Sequence, residues 1–549
     1  MVARPSSPAV WPTLFLLQLL YAEARRALVP QLHAAPGSAA AGARHTCVSL
    51  QNHVSYSSVK VKVGTPPQEF DLVADTGSDD LIVDSCVCQD LGECSAEDKC
   101  FRGANSSSTF RGPEVRDDGA MSIMRITFGS GTIDSVIASD VVAVGSGVVT
   151  MDDSLLLMVG RKLNIAGPFE GILGLGLPKA EETRRRVLAS QQDPKQAPGD
   201  AERPGQPRQV AGNAAEGAQL PASFLEKGGI PRFSMCFNEG EGAAPGLGAD
   251  GVLQLAQPPP SSPELGGIGQ MHWALDFRGV SVGNASSEVL FCGPSDKREG
   301  QSVACGAIPD SGTTIMMAPA EHLLKLFEGI CDKWSRCSDY SDAAAQDPEA
   351  PAELRALSRA ELRASVFMYL LGNCSSWAPG GDVSEMPPLH FTVAGSEGTE
   401  QRLELPAASY ILRQTVQEVA HHYEKLMGVI PVDIKTPTGR EIEVCVPAFG
   451  VQEYNTEKTG PAWIFGTPIY YLYQVHYNMV SRPPSISFSD APCGSCSEGV
   501  VEDVPKGSFL LRNSLRSNVT HAAKRSRPRV ARQHRGGLRV PGLDTSLPL

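Results

Sequence analysis

Two short stretches constrain this chain more than anything else in it: Ala74-Asp75-Thr76-Gly77-Ser78 and Ile308-Pro309-Asp310-Ser311-Gly312-Thr313-Thr314. Each sets an Asp on a Gly-containing turn beside hydroxyl residues. The first closes the apolar run Phe70-Asp71-Leu72-Val73-Ala74, and the second opens onto Ile315-Met316-Met317, so each turn borders a β-prone run. One such turn is ordinary loop chemistry, because Asp, Ser and Gly all favour turns. Two copies, 235 residues apart, suggest more. Carboxylates on matched turns can meet across a pseudo-twofold axis, share one proton and activate a water molecule for amide hydrolysis.

Other motifs flank the pair in a consistent order. Val61-Lys62-Val63-Gly64-Thr65-Pro66-Pro67-Gln68 precedes the first Asp, and Ile126-Thr127-Phe128-Gly129-Ser130-Gly131 follows it. Gly171-Ile172-Leu173-Gly174-Leu175-Gly176 comes next, and Trp463-Ile464-Phe465-Gly466-Thr467-Pro468 lies near the end. With these the chain resembles the pepsin-like aspartic endopeptidases, from about residue 55 to residue 493, interrupted by insertions. The resemblance implies an all-β, bilobal fold with a cleft between two pseudo-symmetric lobes and a few short helices. It implies Asp75 and Asp310 as the catalytic dyad, and Thr76 and Ser311 as the hydroxyls that brace the two loops. Gly77 and Gly312 would donate N–H groups to the carboxylates, with Ser78 and Thr313 as outer hydroxyls. Residues 126–131, with Phe128, Gly129 and Ser130 facing substrate, match the flap.

The chemistry follows from electrostatics. Two carboxylates this close cannot both ionise easily, so the pair holds one proton over an acidic window, and its pKa values belong to the pair. The ionised partner accepts a proton from water while the protonated one donates to the substrate carbonyl. Neither an acyl-enzyme nor a metal or cofactor is required. Departures from the family pattern are Phe128 where the flap usually carries Tyr, Ile82 where Trp is frequent, Pro309 before the second Asp, and Gly466-Thr467 where Gly-Asp is common. Pro309 lacks an N–H near the catalytic loop. Asp79 and Asp80 would disfavour a second ionisation if they point inward. Phe128, Ile82 and Ile315 read as apolar cleft walls, so apolar residues are expected on either side of the scissile bond.

The N-terminus reads as a secretory signal over residues 1–24: Arg4, the apolar run Leu14 to Leu20, and Ala22-Glu23-Ala24. Fourteen cysteines fit an oxidising compartment. Cys86, Cys88, Cys94 and Cys100 crowd together; zinc is the alternative, but the signal argues for disulfides. By resemblance Cys94 pairs with Cys100 and Cys374 with Cys445, while Cys331 and Cys337 are a plausible local pair. Asn105, Asn284, Asn373 and Asn518 head glycosylation sequons.

Residues 25–54 read as a short prosegment or N-terminal extension, 55–235 as the first lobe, 236–493 as the second and 494–549 as a basic disordered tail. The tail carries ten Lys/Arg against four Asp/Glu in a chain of net charge −13. It reads as a solvated extension, not a nucleic-acid site. Residues 179–219 lack the apolar content to pack and read as a disordered insertion. Val59, Val61 and Val63 alternate with Lys60 and Lys62 as a half-buried strand, and Ile133 to Val144 is a second β-rich run. Helices are expected over Pro319 to Lys333 and Ala352 to Leu371, and a partly helical insertion over Thr415 to Glu443 that contains His421-His422.

The sequence therefore predicts a monomeric aspartic endopeptidase acting on peptides or proteins at acidic pH. It would be secreted or lumenal, with no membrane anchor after signal cleavage. The rival is a catalytically weak pepsin-fold binding or inhibitor protein, supported by Phe128, Ile82 and Pro309. No H-E-x-x-H or P-loop points to another enzyme class.

Overall fold

A computed structural model describes residues 45–496, apart from 54, 114–120, 122, 164–167, 180–219, 239–249, 350–351 and 427–429. The expected signal segment, residues 25–44, nearly all of the 179–219 insertion, and the tail beyond residue 496 with Asn518 lie outside the described residues.

The period-two pattern forms the strand Ser57–Val63, with its valines buried and its lysines exposed. It pairs antiparallel with Gln68–Asp75, matching Val59 to Leu72 and Val61 to Phe70. The Ile133 to Val144 run lies within the strand Gly131–Val144. Strands of this kind build a 13-stranded sheet and an 8-stranded sheet, the expected bilobal all-β architecture with few short helices. The larger sheet runs through the first half of the chain and then borrows Gln474–Asn478 and Ser485–Ser489 from near its end. Arg232–Cys236, Gly251–Leu255 and Leu265–Gly266 also belong to it, so the second sheet begins at Leu275–Val282. The strand Thr46–Asn52 lies between Gly251–Leu255 and Ser57–Val63. The bonds Cys47–Cys496 and Cys236–Cys493 fasten the chain's last described residues to this sheet.

The second lobe packs around aromatic rings. Trp463 is fully buried and lies 5.3 Å from Phe277 and 5.5 Å from Phe291 between ring centroids. Truncating a residue so placed costs about 3–5 kcal/mol. The helix Ala320–Lys333 starts directly after Pro319 and buries Leu323, Leu326 and Ile330. The expected Ala352 to Leu371 helix is two helices, Ala352–Arg355 and Arg359–Gly372. The break is a capping box: the Ser358 hydroxyl accepts from the Glu361 N–H, and the Glu361 carboxylate accepts from the Ser358 N–H.

The segment read as partly helical is instead a long hairpin, Ile411–Leu426 against Ile430–Pro447, and His421-His422 sits in a strand. Its register runs continuously from Ile411 opposite Pro447 to Gln417 opposite Glu441, and resumes at Val419 opposite Pro437. Pairing that starts inside the fold, beside the Cys374–Cys445 bond, overrides the local helix preference of Ala, Glu and Lys.

Candidate active site

Each Asp turn ends one strand, and a third strand threads between that strand and the next. In the first half Gly171–Gly174 pairs parallel with Gln68–Asp75 and antiparallel with Leu81–Asp84. In the second, Gly460–Phe465 pairs parallel with Gly306–Pro309 and antiparallel with Met316–Ala318. The glycine motifs noted in the sequence supply these threading strands. The two turns meet at the centre of the molecule.

Their hydrogen bonds repeat almost term for term. Asp75 Oδ1 accepts from the Gly77 N–H at 2.8 Å, and Asp310 Oδ1 from the Gly312 N–H at 2.8 Å. Ser78 Oγ donates to Asp75 Oδ2 at 2.5 Å, and Thr313 Oγ1 to Asp310 Oδ2 at 2.7 Å. The turns then grip each other. The Thr76 N–H donates to Ser311 Oγ and the Ser311 N–H to Thr76 Oγ1, both at 3.0 Å. Ser311 Oγ donates to the Ala74 carbonyl at 2.7 Å, and Thr76 Oγ1 to the Pro309 carbonyl at 3.1 Å. Thus Pro309 takes part through its oxygen, and its missing N–H leaves the grip complete.

The two carboxyls lie close enough together for Asp310 to act on Asp75 as a neighbouring charge. Burial first, and the neighbouring Asp310 second, push the Asp75 carboxyl well above the usual carboxylate range; bonds from Ser78 and Gly77 pull the other way. The glycines are needed for space. A Cβ on Gly77 would lie 2.6 Å from the Asp310 carboxyl, and one on Gly312 would lie 2.5 Å from Asp75 Oδ1. Asp79, which the sequence set near the dyad as bare charge, is paired with Lys179.

Beneath the grip lie two residues that sequence reasoning missed. Tyr470 and Tyr477 are fully buried, and their hydroxyls are 2.6 Å apart. Tyr470 OH is 2.9 Å from Thr76 Oγ1. The Thr76 hydroxyl gives its one proton to Pro309, so Tyr470 donates to Thr76 and Tyr477 to Tyr470. Two tyrosines seven positions apart, just after Trp463-Ile464-Phe465-Gly466, were the available signal. His272 is a third omission: its Nδ1–H donates to the Gly77 carbonyl at 3.1 Å.

The flap candidates form a hairpin, with Phe128 opposite Gly131 and the turn at Gly129 and Ser130. A Cβ on Gly129 would approach Gln452 Oε1 to 3.9 Å, so the flap tip faces the second lobe. Phe128 is half-buried against an apolar cluster containing Tyr56, Ile82, Phe169 and Ile172. Ile82 and Ile315, expected as cleft walls, are both buried, Ile82 completely.

All fourteen cysteines are paired, and one expected pairing is corrected. Cys331–Cys337 and Cys374–Cys445 form as read. Cys94 does not pair with Cys100: the bonds are Cys86–Cys100 and Cys88–Cys94. Cys86 and Cys88 lie two apart on the helix Cys86–Asp90, and such residues project roughly 200° apart. Cys86 therefore meets Cys100 beside the Ser85–Phe101 bridge while Cys88 turns into the core. These bonds also occupy the four sulfurs of the zinc alternative. Asn105, Asn284 and Asn373 are exposed.

Comparison with known proteins agrees with this geometry. A family model described as eukaryotic aspartyl protease matches residues 55–192. Pregnancy-associated glycoprotein 1 of Ovis aries is 44% identical over 22% of this chain and 29% of its own length. Renin-2 of Mus musculus is 25% identical over 53% of this chain and 60% of its own, and Cathepsin E-A of Xenopus laevis 25% identical over 59% and 70%. The chain thus spans less than a third of the first two relatives it matches and over half of the next two. With the threaded Asp turns of both lobes, these matches show that the chain is similar to the pepsin-like aspartic proteases.

Proposed function

We propose that the protein is an endopeptidase in which Asp75 and Asp310, sharing one proton, activate a water molecule against a peptide carbonyl. The two neighbouring carboxyls, each held by one backbone N–H and one hydroxyl, carry this reading. The ionised carboxylate takes the water's proton, and the protonated partner donates to the carbonyl oxygen as it gains charge. Thr76 and Ser311 hold the two turns, and with them the carboxyls, against each other through the grip. Gly77 and Gly312 leave room for that approach. Phe128, Gly129 and Ser130 close over an extended peptide opposite Gln452. The elevated Asp75 carboxyl supports a dyad that holds one proton and hydrolyses peptides at acidic pH.

The natural setting is the secretory pathway or an acidic lumen. The leader-like N-terminus and the seven disulfides support it. No helix among the described residues is long and apolar enough to cross a membrane. The substrates are peptides or proteins, and the enzyme acts as a monomer. Asn105, Asn284 and Asn373 are its glycosylation candidates.

The test is cleavage of a quenched peptide from about pH 3 to about pH 7, with and without pepstatin, for the chain freed of its leader and for Asp75→Ala and Asp310→Ala. Acidic, pepstatin-sensitive cleavage lost in both variants is expected. A folded chain that binds pepstatin and cleaves nothing would move the reading to a pepsin-fold binding protein.

A further inference from the structure

The helix Cys86–Asp90 and the loop after it hold a second reactive grouping, away from the dyad. Asp84 ends the strand Leu81–Asp84 and is completely buried. Its Oδ2 accepts a long bond from Gln89 Nε2 at 3.4 Å, and its Oδ1 has no hydrogen-bond partner. One oxygen of this carboxyl and the two sulfurs of the Cys88–Cys94 bond lie within 4.8 Å of one another. An ionised carboxylate with an orphaned oxygen is costly in such a place, so the stable form carries a proton. Burial accordingly pushes the carboxyl up to about 7.

The two sulfurs differ in access. Cys88 is fully buried, in the apolar cluster with Ile82, Met158, Phe169 and Ile172. Cys94 is half-buried and follows the exposed residues Leu91, Gly92 and Glu93. A thiolate arriving from solvent therefore meets Cys94 first and expels Cys88 inward. A bare thiolate among those side chains would be unstable.

We propose that Cys88–Cys94 is a thiol-exchange site, with Asp84 as its internal proton donor and small thiols as its reagents. The attacking R–S⁻ bonds to Cys94 Sγ, the Cys94–Cys88 bond breaks, and its electron pair leaves on Cys88 Sγ. Asp84 gives that sulfur its proton and becomes a carboxylate. A second thiolate displaces Cys94 from the mixed disulfide, giving R–S–S–R and two protein thiols; the Cys94 thiolate takes its proton from solvent. The protein gains two electrons and the two small thiols lose them. The charged and polar groups around Asp84 are Gln89, Arg161, Asp98 and the Ser85 backbone N–H, and the Asp84 N–H is held by the Glu170 carbonyl. Arg161 is paired with Asp98, so neither is a spare donor. Nothing in this inference depends on peptide hydrolysis.

The test uses the full chain and dithiothreitol at one thiolate concentration from about pH 6 to about pH 8.5, quenched with a maleimide and mapped by mass spectrometry. The Cys331–Cys337 bond has the same sequence separation of six and serves as the internal reference. Cys88 and Cys94 should be labelled before any other pair. Their rate per thiolate should fall about tenfold per pH unit once Asp84 has ionised, and Asp84→Asn should abolish that fall. Labelling no earlier than Cys331 and Cys337 overturns the proposal, as does an unchanged pH profile in Asp84→Asn. If Asp84→Asn does not fold, the wild-type profile decides, and a flat rate per thiolate overturns it.

Discussion

The two Asp turns are alike at short range and unlike beyond it. Each carboxyl takes one N–H from a glycine two residues on and one hydroxyl from the residue after that glycine. Around them symmetry fails. Asp75 is 7% exposed, whereas Asp310 is less buried and Gly312 lies at the surface. Thr76 rests on the Tyr470–Tyr477 pair, and Gly77 is held by His272. On the second turn Thr314 Oγ1 donates to the Ser55 carbonyl and Thr467 Oγ1 to the Thr314 carbonyl. The near-identical bonds come from four local residues, Asp-Thr/Ser-Gly-Ser/Thr. The differences come from segments remote in sequence, so they can be altered without touching the motif.

The severest disturbance of the symmetry is a methyl group at its axis. Gly77→Ala and Gly312→Ala each press on the opposite carboxyl, and each should lower kcat/KM by on the order of 10²-fold, because small misplacements of reacting groups are that costly. Activity assays with circular dichroism as a folding control would check this. If only one substitution hurts, the carboxyls are not equivalent in their need for contact.

A subtler break lies under the first turn alone. Tyr470→Phe leaves the Tyr477 hydroxyl only long contacts of 3.5 Å to Thr76 and Pro309 and takes a donor from Thr76, costing about 1–3 kcal/mol. Tyr477→Phe leaves the bond from Tyr470 to Thr76 in place and should cost less. Denaturant unfolding of both variants measures the order, and the reverse order would refute the donor assignment made above.

Two buried groups near the first turn titrate in opposite senses. His476 neighbours Tyr477; burial lowers it to about 4, and its Nδ1 is held by Gln257. Its folded value lies below its unfolded value, so its neutral form contributes stability that is full above about pH 6.5 and is lost as pH falls through about 4, on the order of 3 kcal/mol. Asp84 lies above its unfolded value, so its contribution is full below about pH 4 and is lost as pH rises through about 7. Thermal melts across pH should show His476→Gln flattening the acid side and Asp84→Asn the neutral side.

The smallest effect is expected at the flap. Phe128→Tyr restores a hydroxyl, but Ile82 stands where the family's Trp would join it, so KM should change by no more than about threefold. A large gain would mean the hydroxyl finds a partner in the second lobe.

Much of this was readable from the residues because the motif is local. A Gly two positions after an Asp dictates the turn and the donor alike, and the valine–lysine alternation at 59–63 dictates a half-buried strand. What escaped depends on partners far away. Nothing near Tyr470 says that its hydroxyl meets Thr76. Nothing between 415 and 443 says that pairing begun at Ile411 and Pro447 will run on through helix-forming residues. The Cys86–Cys100 pairing needed the short helix that separates Cys86 from Cys88.

One consequence follows from the borrowing of Gln474–Asn478 by the first sheet. Both aspartates have left the ribosome long before the strand carrying Tyr477 appears, and Gly460–Phe465, which threads the second turn, is also late. A nascent chain stopped short of these strands holds both carboxyls with neither grip nor support. The order of synthesis thus keeps the centre unfinished until almost the whole body of the protein has been made.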